Sequence, residues 1–486
     1  MKKHWSILLG FCIALILGAS SINICSDLVG FLVDEGFTLY GARRVLHGEI
    51  PYKDFFFLWS PGVLYWHAAI QSYITDSLFA GRLAQLPFCA FLVAASIKIT
   101  KDRFLLPTSF ALLAGFYSLL WGFTLWNMPY ASWYAIAFSM AAYLAIDKNI
   151  FIAGMFFALS FWMKQNVGIL SCCGAIFFFL LSKNKKNILL LIGGFSLLFI
   201  PGVFFFYTKA ALQEFTAQVF LFPLVYKTTM FKGLALSDIS FSRFFFYLLS
   251  FLVWPCAAFF FRREKNIKLR RELLLYWLCA FGAFLQVYPR IDFQHVLFSF
   301  SLGMPLYMYI LQNVWKKPNS IVSKLFFTFP AVLLFIGGIQ ENAKLFYEKI
   351  MPEEKIFGLA TRGEKALVLK EAEVMMRELQ LQLPKGAPLL FYPHMETLYY
   401  LGEFNNPTPH NQFLPGYIEF FGDAQVEILP MFEERGGSIL VYTRNSGLEP
   451  ATAAFFSMMQ KEYFEYKRYP KLFSLYKKKS MIKNNL

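Results

Sequence analysis

Charge is what this chain has least of. Only 16% of its 486 residues are Asp, Glu, Lys or Arg, against 57% hydrophobic residues, 59 Phe and a mean hydropathy of +0.47. So few polar side chains cannot clothe a water-soluble surface, and the chain falls in the membrane class. Acids are scarcer than bases, 31 against 46, and the imbalance is local: residues 1–340 carry 28 basic and 13 acidic residues, whereas residues 341–486 carry 18 of each. The polar tail is neutral, so the net charge of +15 calls for no nucleic acid. Cysteine is limited to seven residues, none beyond Cys279 and none at metal-ligand spacing from a histidine. They read as packing residues, and the tail folds without disulfides. Internal repeats, a Gly-rich phosphate loop, a paired-histidine zinc motif and a nucleophile elbow are all missing.

What is there instead is a series of eleven apolar runs: Trp5–Ile24, Leu83–Ile97, Phe104–Leu120, Ala131–Ile146, Ile150–Met163, Val167–Leu181, Ile188–Tyr207, Phe241–Phe261, Leu273–Tyr288, Val296–Trp315 and Leu325–Ile339. The first resembles a secretory signal but is long enough to span, and a retained helix is expected. Ile150–Leu181 is split at Lys164, because one straight helix there would measure about 48 Å and place Lys164 near mid-bilayer. With a cytoplasmic N-terminus, every basic cluster then falls on one side: Lys2/Lys3, Lys98/Lys101/Arg103, Lys148, Lys183/Lys185/Lys186, Arg262 to Arg271 and Lys316/Lys317/Lys324. The expected architecture is an α-helical polytopic membrane protein of about eleven transmembrane helices over residues 1–340, its first exported loop at 26–82. Residues 341–486 form a small exported α/β domain. There Ala366–Gln382 reads as a helix, Pro388–Tyr392 and Ser438–Thr443 as strands and Tyr463–Lys478 as a hairpin. Within the first loop a short helix is expected at Ala42–Leu46, and the aromatic run Phe55–Trp59 suits a segment lying on the membrane surface.

The residues that carry chemistry collect in the exported segments. Asp34 and Glu35 follow the first run directly, and adjacent carboxylates at a helix mouth can take a proton from a hydroxyl when their surroundings tune them. Asp34 is the candidate base and Glu35 its partner. Lys164 in 162-WMKQN-166 and Arg290 in 288-YPRIDFQH-295 are candidate phosphate ligands, as charge-assisted contacts to phosphate are strong. Gln165, Asp292, His295 and Tyr52 are candidate substrate ligands, with Arg43 and Arg82 as further basic candidates. Bland roles stand beside each: Lys164 snorkelling at a helix end, Arg290 pairing with Asp292, His295 capping a helix, Arg43 on an exposed helix face.

The stretches 34-DEG-36, 42-ARRVLHGEIPYKDFF-56 and 61-PG-62 resemble the first exported loop of polyprenyl-phosphate-dependent glycosyltransferases of the GT-C superfamily. That group includes protein O-mannosyltransferases and the lipid A aminoarabinose transferase. Weaker likeness extends to 162-WMKQNVG-168, 288-YPRIDFQH-295 and 391-FYPHMETLYYLGEFNNPTP-409. The resemblance implies a multi-pass bacterial inner-membrane enzyme with a periplasmic C-terminal domain. It further implies inverting transfer from a polyprenyl-phosphate sugar to a glycolipid, polysaccharide or protein acceptor, with Asp34 as base. One departure stands out: the second exported loop, 121-WGFTLWNMPY-130, lacks the carboxylate that several relatives are expected to place there, so no cofactor is expected and a metal-assisted route is doubtful. The alternatives are a transporter or flippase for lipid-linked sugars, which calls for mid-membrane polar residues and repeat symmetry, and a polysaccharide polymerase or ligase.

Overall fold

A computed structural model describes residues 5–229, 241–288, 291–316, 321–410, 413–414, 417–422, 424–444 and 453–480. Each of the eleven apolar runs lies on a helix. In chain order the helices of the first part are α1 (Trp5–Ser21), α2 (Gly36–Leu46), α3 (Gly62–Tyr73), α4 (Leu78–Lys98), α5 (Thr108–Leu120), α6 (Ala131–Ala145), α7 (Ile150–Met163), α8 (Gln165–Leu181), α9 (Lys185–Thr208), α10 (Leu212–Thr216), α11 (Phe222–Thr229), α12 (Phe241–Arg262), α13 (Ile267–Phe284), α14 (Phe293–Lys316) and α15 (Ile321–Ile350). Among the described residues, five helical stretches are long and apolar enough by themselves to cross a bilayer: Leu78–Arg103, Thr108–Leu125, Lys185–Thr208, Arg243–Arg262 and Ile321–Ile350. Of the remaining apolar helices several are only 10–17 residues long, whereas α14 has 24 residues and α13 has 18, so length alone does not set the number of crossings. α14, lined almost entirely by buried residues, runs through the middle of the bundle, while α9 and α15 leave most of their apolar surface outward.

The break at Lys164 is where the charge argument put it. Lys164 is extended (φ −153°, ψ 112°) and closes α7 while opening α8. The two helices fold back closely because Gly168 lies against the backbone of Phe161, where an added Cβ would come within 2.1 Å of the Phe161 nitrogen.

The first exported segment is more structured than its sequence suggests. A single π-turn, Gly30–Glu35, leads straight into α2, which begins six residues before the expected short helix. α3, a helix of 12 residues, was read as loop because its apolar stretch is too short for a span. The aromatic run is not on the membrane surface: Phe55, Phe56, Phe57 and Trp59 are all buried, with Phe57 stacked on Phe37 at 4.8 Å and Phe56 edge-on to Tyr417 at 5.1 Å. Aromatic area of this size is worth more inside a protein than at an interface that is already half apolar.

The last bundle helix, α15, continues past Glu341 into the polar tail. The C-terminal domain then follows as β1 (Glu354–Ile356), β2 (Leu359–Thr361), α16 (Glu364–Gln382), β3 (Leu390–Tyr392), α17 (Glu396–Gly402), α18 (Tyr417–Phe421), α19 (Ala424–Glu434), β4 (Ile439–Thr443), α20 (Ala453–Glu462), β5 (Tyr463–Arg468) and β6 (Phe473–Lys478). β1 and β2 form a hairpin, and the main sheet runs β3-β4-β6-β5 with β3 parallel to β4 and the other pairs antiparallel. Helix, strands and final hairpin match their sequence expectations to within a few residues.

The domain is not tethered loosely. α17 packs on the π-turn and α2, and one continuous apolar core runs from the bundle into it. The tightest point is Gly36, where a Cβ would come within 1.9 Å of the Thr397 amide nitrogen. The Thr397 hydroxyl donates to the Phe31 carbonyl, Tyr40 stacks on Tyr399 at 5.0 Å, and the Arg43 guanidinium covers the Tyr400 ring at 4.1 Å. Gly36→Ala is therefore expected to loosen this junction at a cost of about 1–3 kcal/mol. Limited proteolysis of the full-length protein in detergent checks it, the exported domain being released faster than from wild type.

Candidate active site

Asp34 and Glu35 sit on the π-turn, a geometry common where a helix must present a functional side chain. They do different things. Glu35 is fully buried and is gripped by Arg82, whose Nε and Nη2 each donate to one carboxylate oxygen at 2.7 Å. The remaining Arg82 nitrogen donates to the Ile22 and Ile24 carbonyls at 2.6 and 2.9 Å. In this closed bidentate arrangement Glu35 and Arg82 hold the first loop to α4, each engaged by the other and Arg82 also by backbone carbonyls. Asp34, by contrast, is only half-buried.

Across from Asp34 lies Lys164, buried in the turn between α7 and α8. Its ammonium donates to Ser132 Oγ at 2.8 Å and to Gln286 Oε1 at 3.0 Å. It also lies 5.5 Å from the Tyr130 ring centre and 6.0 Å from that of Trp59. Lys164 does not snorkel to open water; burial pushes its ammonium down to about 7, opposed by the carboxylates of Asp292 and then Asp34. Those couplings bring Asp34, Lys164 and Asp292 into one electrostatic neighbourhood. Asp292 in turn accepts the His295 backbone amide at 2.9 Å and meets His295 Nδ1 at 2.7 Å, so the pair caps α14 and orients the imidazole. Arg290 lies outside the described residues.

Lys164, Gln165, Asn166, Gln286, Tyr288 and His295 form the polar end of a cavity of about 290 Å³, whose other walls are apolar: Leu58, Ile169, Leu170, Val219, Phe220, Pro223 and Leu224. Gln165 lines it with its amide already committed, accepting from the Ser60 amide and donating to the Leu58 and Val219 carbonyls, each at 3.0 Å. It pins the aromatic segment to the bundle. Arg43 and Tyr52 are likewise engaged by protein partners. Arg43 binds Asp76 at 2.8 Å and the Tyr400 carbonyl at 2.7 Å, fastening the exported domain. Tyr52 is buried with its hydroxyl donating to the Trp59 carbonyl at 2.7 Å. Ser132, Asn166 and Gln286 escaped the sequence reading; the only signal was a lone polar residue at the edge of an apolar run. Among the described residues no three His, Cys, Asp or Glu side chains converge as metal ligands.

With the fold and this geometry in hand, comparison with solved structures is informative. ArnT from Cupriavidus metallidurans bound to undecaprenyl phosphate superposes with a TM-score of 0.60 over 98% of both chains, at 13% identity. The same protein in the apo state gives 0.58 over 97% of both chains at 12% identity. The chain shares the fold of these structures. The Archaeoglobus fulgidus oligosaccharyltransferase tethered to an acceptor peptide follows at 0.51 and 12% identity, over 97% of this chain and 74% of that one. No protein-family model and no curated protein matches the sequence. At such identities the GT-C likeness speaks for architecture, and the residues above must carry the chemistry.

The Glu35–Arg82 pair gives a prediction of its own. Arg82→Met alone leaves Glu35 buried and unpaired, at an expected cost of about 3–5 kcal/mol, whereas adding Glu35→Gln recovers much of the loss. Thermal unfolding of the detergent-purified variants measures both.

Proposed function

We propose that this chain is an inverting glycosyltransferase of the bacterial inner membrane, moving one sugar from a polyprenyl-phosphate carrier to a hydroxyl on an exported glycolipid, polysaccharide or protein. The observation that carries the reading is Lys164 at the polar end of a cavity with apolar walls, within electrostatic reach of Asp34. A phosphate on an isoprenoid chain needs a desolvated cation for its head and a greasy wall for its tail, and both are present side by side. The fold shared with ArnT, whose structure holds undecaprenyl phosphate, favours this over a flippase.

In the proposed step Asp34 takes the proton of the acceptor hydroxyl as that oxygen attacks the anomeric carbon from the face opposite the phosphate. One carbon–oxygen bond forms, the bond to the phosphate breaks with its electron pair, and Lys164 neutralises the charge left on the phosphate. Ser132 and Gln286 keep the ammonium in place, and His295, held by Asp292, is at hand for a sugar hydroxyl. Burial lowers the Lys164 pKa, and a phosphate beside it would favour the charged ammonium.

Asp34→Asn is expected to leave abundance and membrane insertion unchanged while lowering transfer by about 10²- to 10⁴-fold. Glycolipid and glycan profiling of a deletion strain identifies the lost product, and complementation with the variant then tests the base; wild-type product levels would refute it. Lys164→Met should weaken binding of undecaprenyl phosphate to the purified protein by about 10- to 100-fold, matching the loss of a charged hydrogen bond. A titration in detergent reads this directly, and an unchanged affinity would move the phosphate site elsewhere.

A further inference from the structure

One buried acid has no place in the scheme so far. Glu396 opens α17 in the exported domain, and its side chain is completely buried. Neither carboxylate oxygen has a hydrogen-bond partner by geometry; its own backbone amide is the one group that favours charge on it. A buried carboxylate without a cation is costly and is rarely kept for stability alone. Its position is set by the tightest contact between domain and bundle, since the Gly36 backbone touches Glu396 and Thr397, and Thr397 is hydrogen-bonded to Phe31 on the π-turn. That contact puts Glu396 within electrostatic reach of Asp34.

We propose that Asp34 and Glu396 form a carboxyl pair sharing one proton, one member supplied by the membrane bundle and the other by the exported domain. Two acids within electrostatic reach of each other, one of them fully desolvated, disfavour a second negative charge. The fully buried member, Glu396, keeps the proton and acts as a positioning residue, while half-buried Asp34 carries the charge that meets the acceptor. When Asp34 accepts the acceptor's proton the pair goes from one proton to two, and loss of one proton to water resets it. The shared proton rests on the reading of Asp34 as base, but the pairing itself can be measured without any sugar.

The charged and titratable neighbours are few. On the loop side they are Asp34 and the Glu35–Arg82 pair, which is internally neutral; α2 offers Tyr40 and Arg44, the latter bound to Glu49; the segment of Glu396 itself carries His394 and Tyr399. Burial holds His394 down to about 3 and pushes both tyrosines up, so none of these three changes charge near neutrality. Burial, with the charge of Asp34 added, lifts the Glu396 carboxyl well above the ordinary carboxylate range. It is then protonated in the fold and ionised in the unfolded chain, and stability falls as pH rises from about 4.5 toward the folded-state value.

The test is thermal unfolding of the full-length protein in detergent between about pH 5 and pH 8. Glu396→Gln, which cannot ionise, should gain on wild type as pH rises, by up to about tenfold in the unfolding equilibrium per unit. Glu396→Leu should show the same pH trend. In an Asp34→Asn background the gain should shrink. A gain that does not vary with pH, or a loss at every pH, would make Glu396 an ordinary ionised carboxylate and overturn the proposal. An equal gain with and without Asp34 would overturn the pairing while leaving Asp34 to be judged by the transfer assay.

Discussion

A fully desolvated ion pair decides which way the first exported loop faces. Glu35 and Arg82 satisfy each other through two parallel hydrogen bonds, and Arg82 spends its remaining nitrogen on the carbonyls at the end of the first helix region. Such a pair adds little net stability compared with apolar residues of the same shape, yet it tolerates only one geometry. Consecutive residues on a helical turn point roughly a quarter-turn or more apart. Locking Glu35 onto α4 therefore swings Asp34 out of the same direction, toward Lys164. Of the adjacent acids, one is an anchor and the other is left half-buried and within electrostatic reach of Lys164.

The same division recurs around the cavity. Gln165 and Lys164 are neighbours in sequence, but Gln165 is consumed by three backbone groups, while Lys164 is held by a hydroxyl, an amide oxygen and two aromatic faces that carry no formal charge. No carboxylate is in hydrogen-bond contact with the ammonium in the contacts described, although Asp292 and Asp34 act on it from farther off. A cation solvated by neutral groups would not have to give up a salt-bridge partner to take an anion. Its position at the end of an apolar groove sets a charged group beside an apolar wall.

Much of the fold was legible because membrane helices announce themselves by continuous apolar length, and because basic residues mark one face of the membrane. The break at Lys164 followed from a length and a charge cost, and the exported helix and strands from ordinary periodicity. The site was legible only in part. Residue type and exported position picked out Asp34 and Lys164, but the same criteria picked Glu35, Arg43, Tyr52 and Arg82, whose partners lie 7 to 357 residues away in the chain. Nothing local distinguishes a buried, mutually satisfied charge from a working one. Phe55 to Trp59 misled for a related reason: an aromatic run is equally suited to the interface and to a core, and only the arrival of α18 and the segment around Phe222 decides.

Glu396 shows the limit most clearly. Its motif lay in view, yet a glutamate inside a neutral, charge-rich tail looks like any solvated acid until the fold brings Gly36 against it. The glycine of 34-DEG-36 is thus explained by the exported domain rather than by the loop that contains it: any side chain there would push α17, and Glu396 with it, away from Asp34. The place of Glu396 beside the π-turn and the docking of the C-terminal domain depend on one backbone contact. A substitution on α17 or the strands behind it can therefore reach the membrane site without touching a substrate, through displacement of the Met395–Glu396–Thr397 backbone from the π-turn.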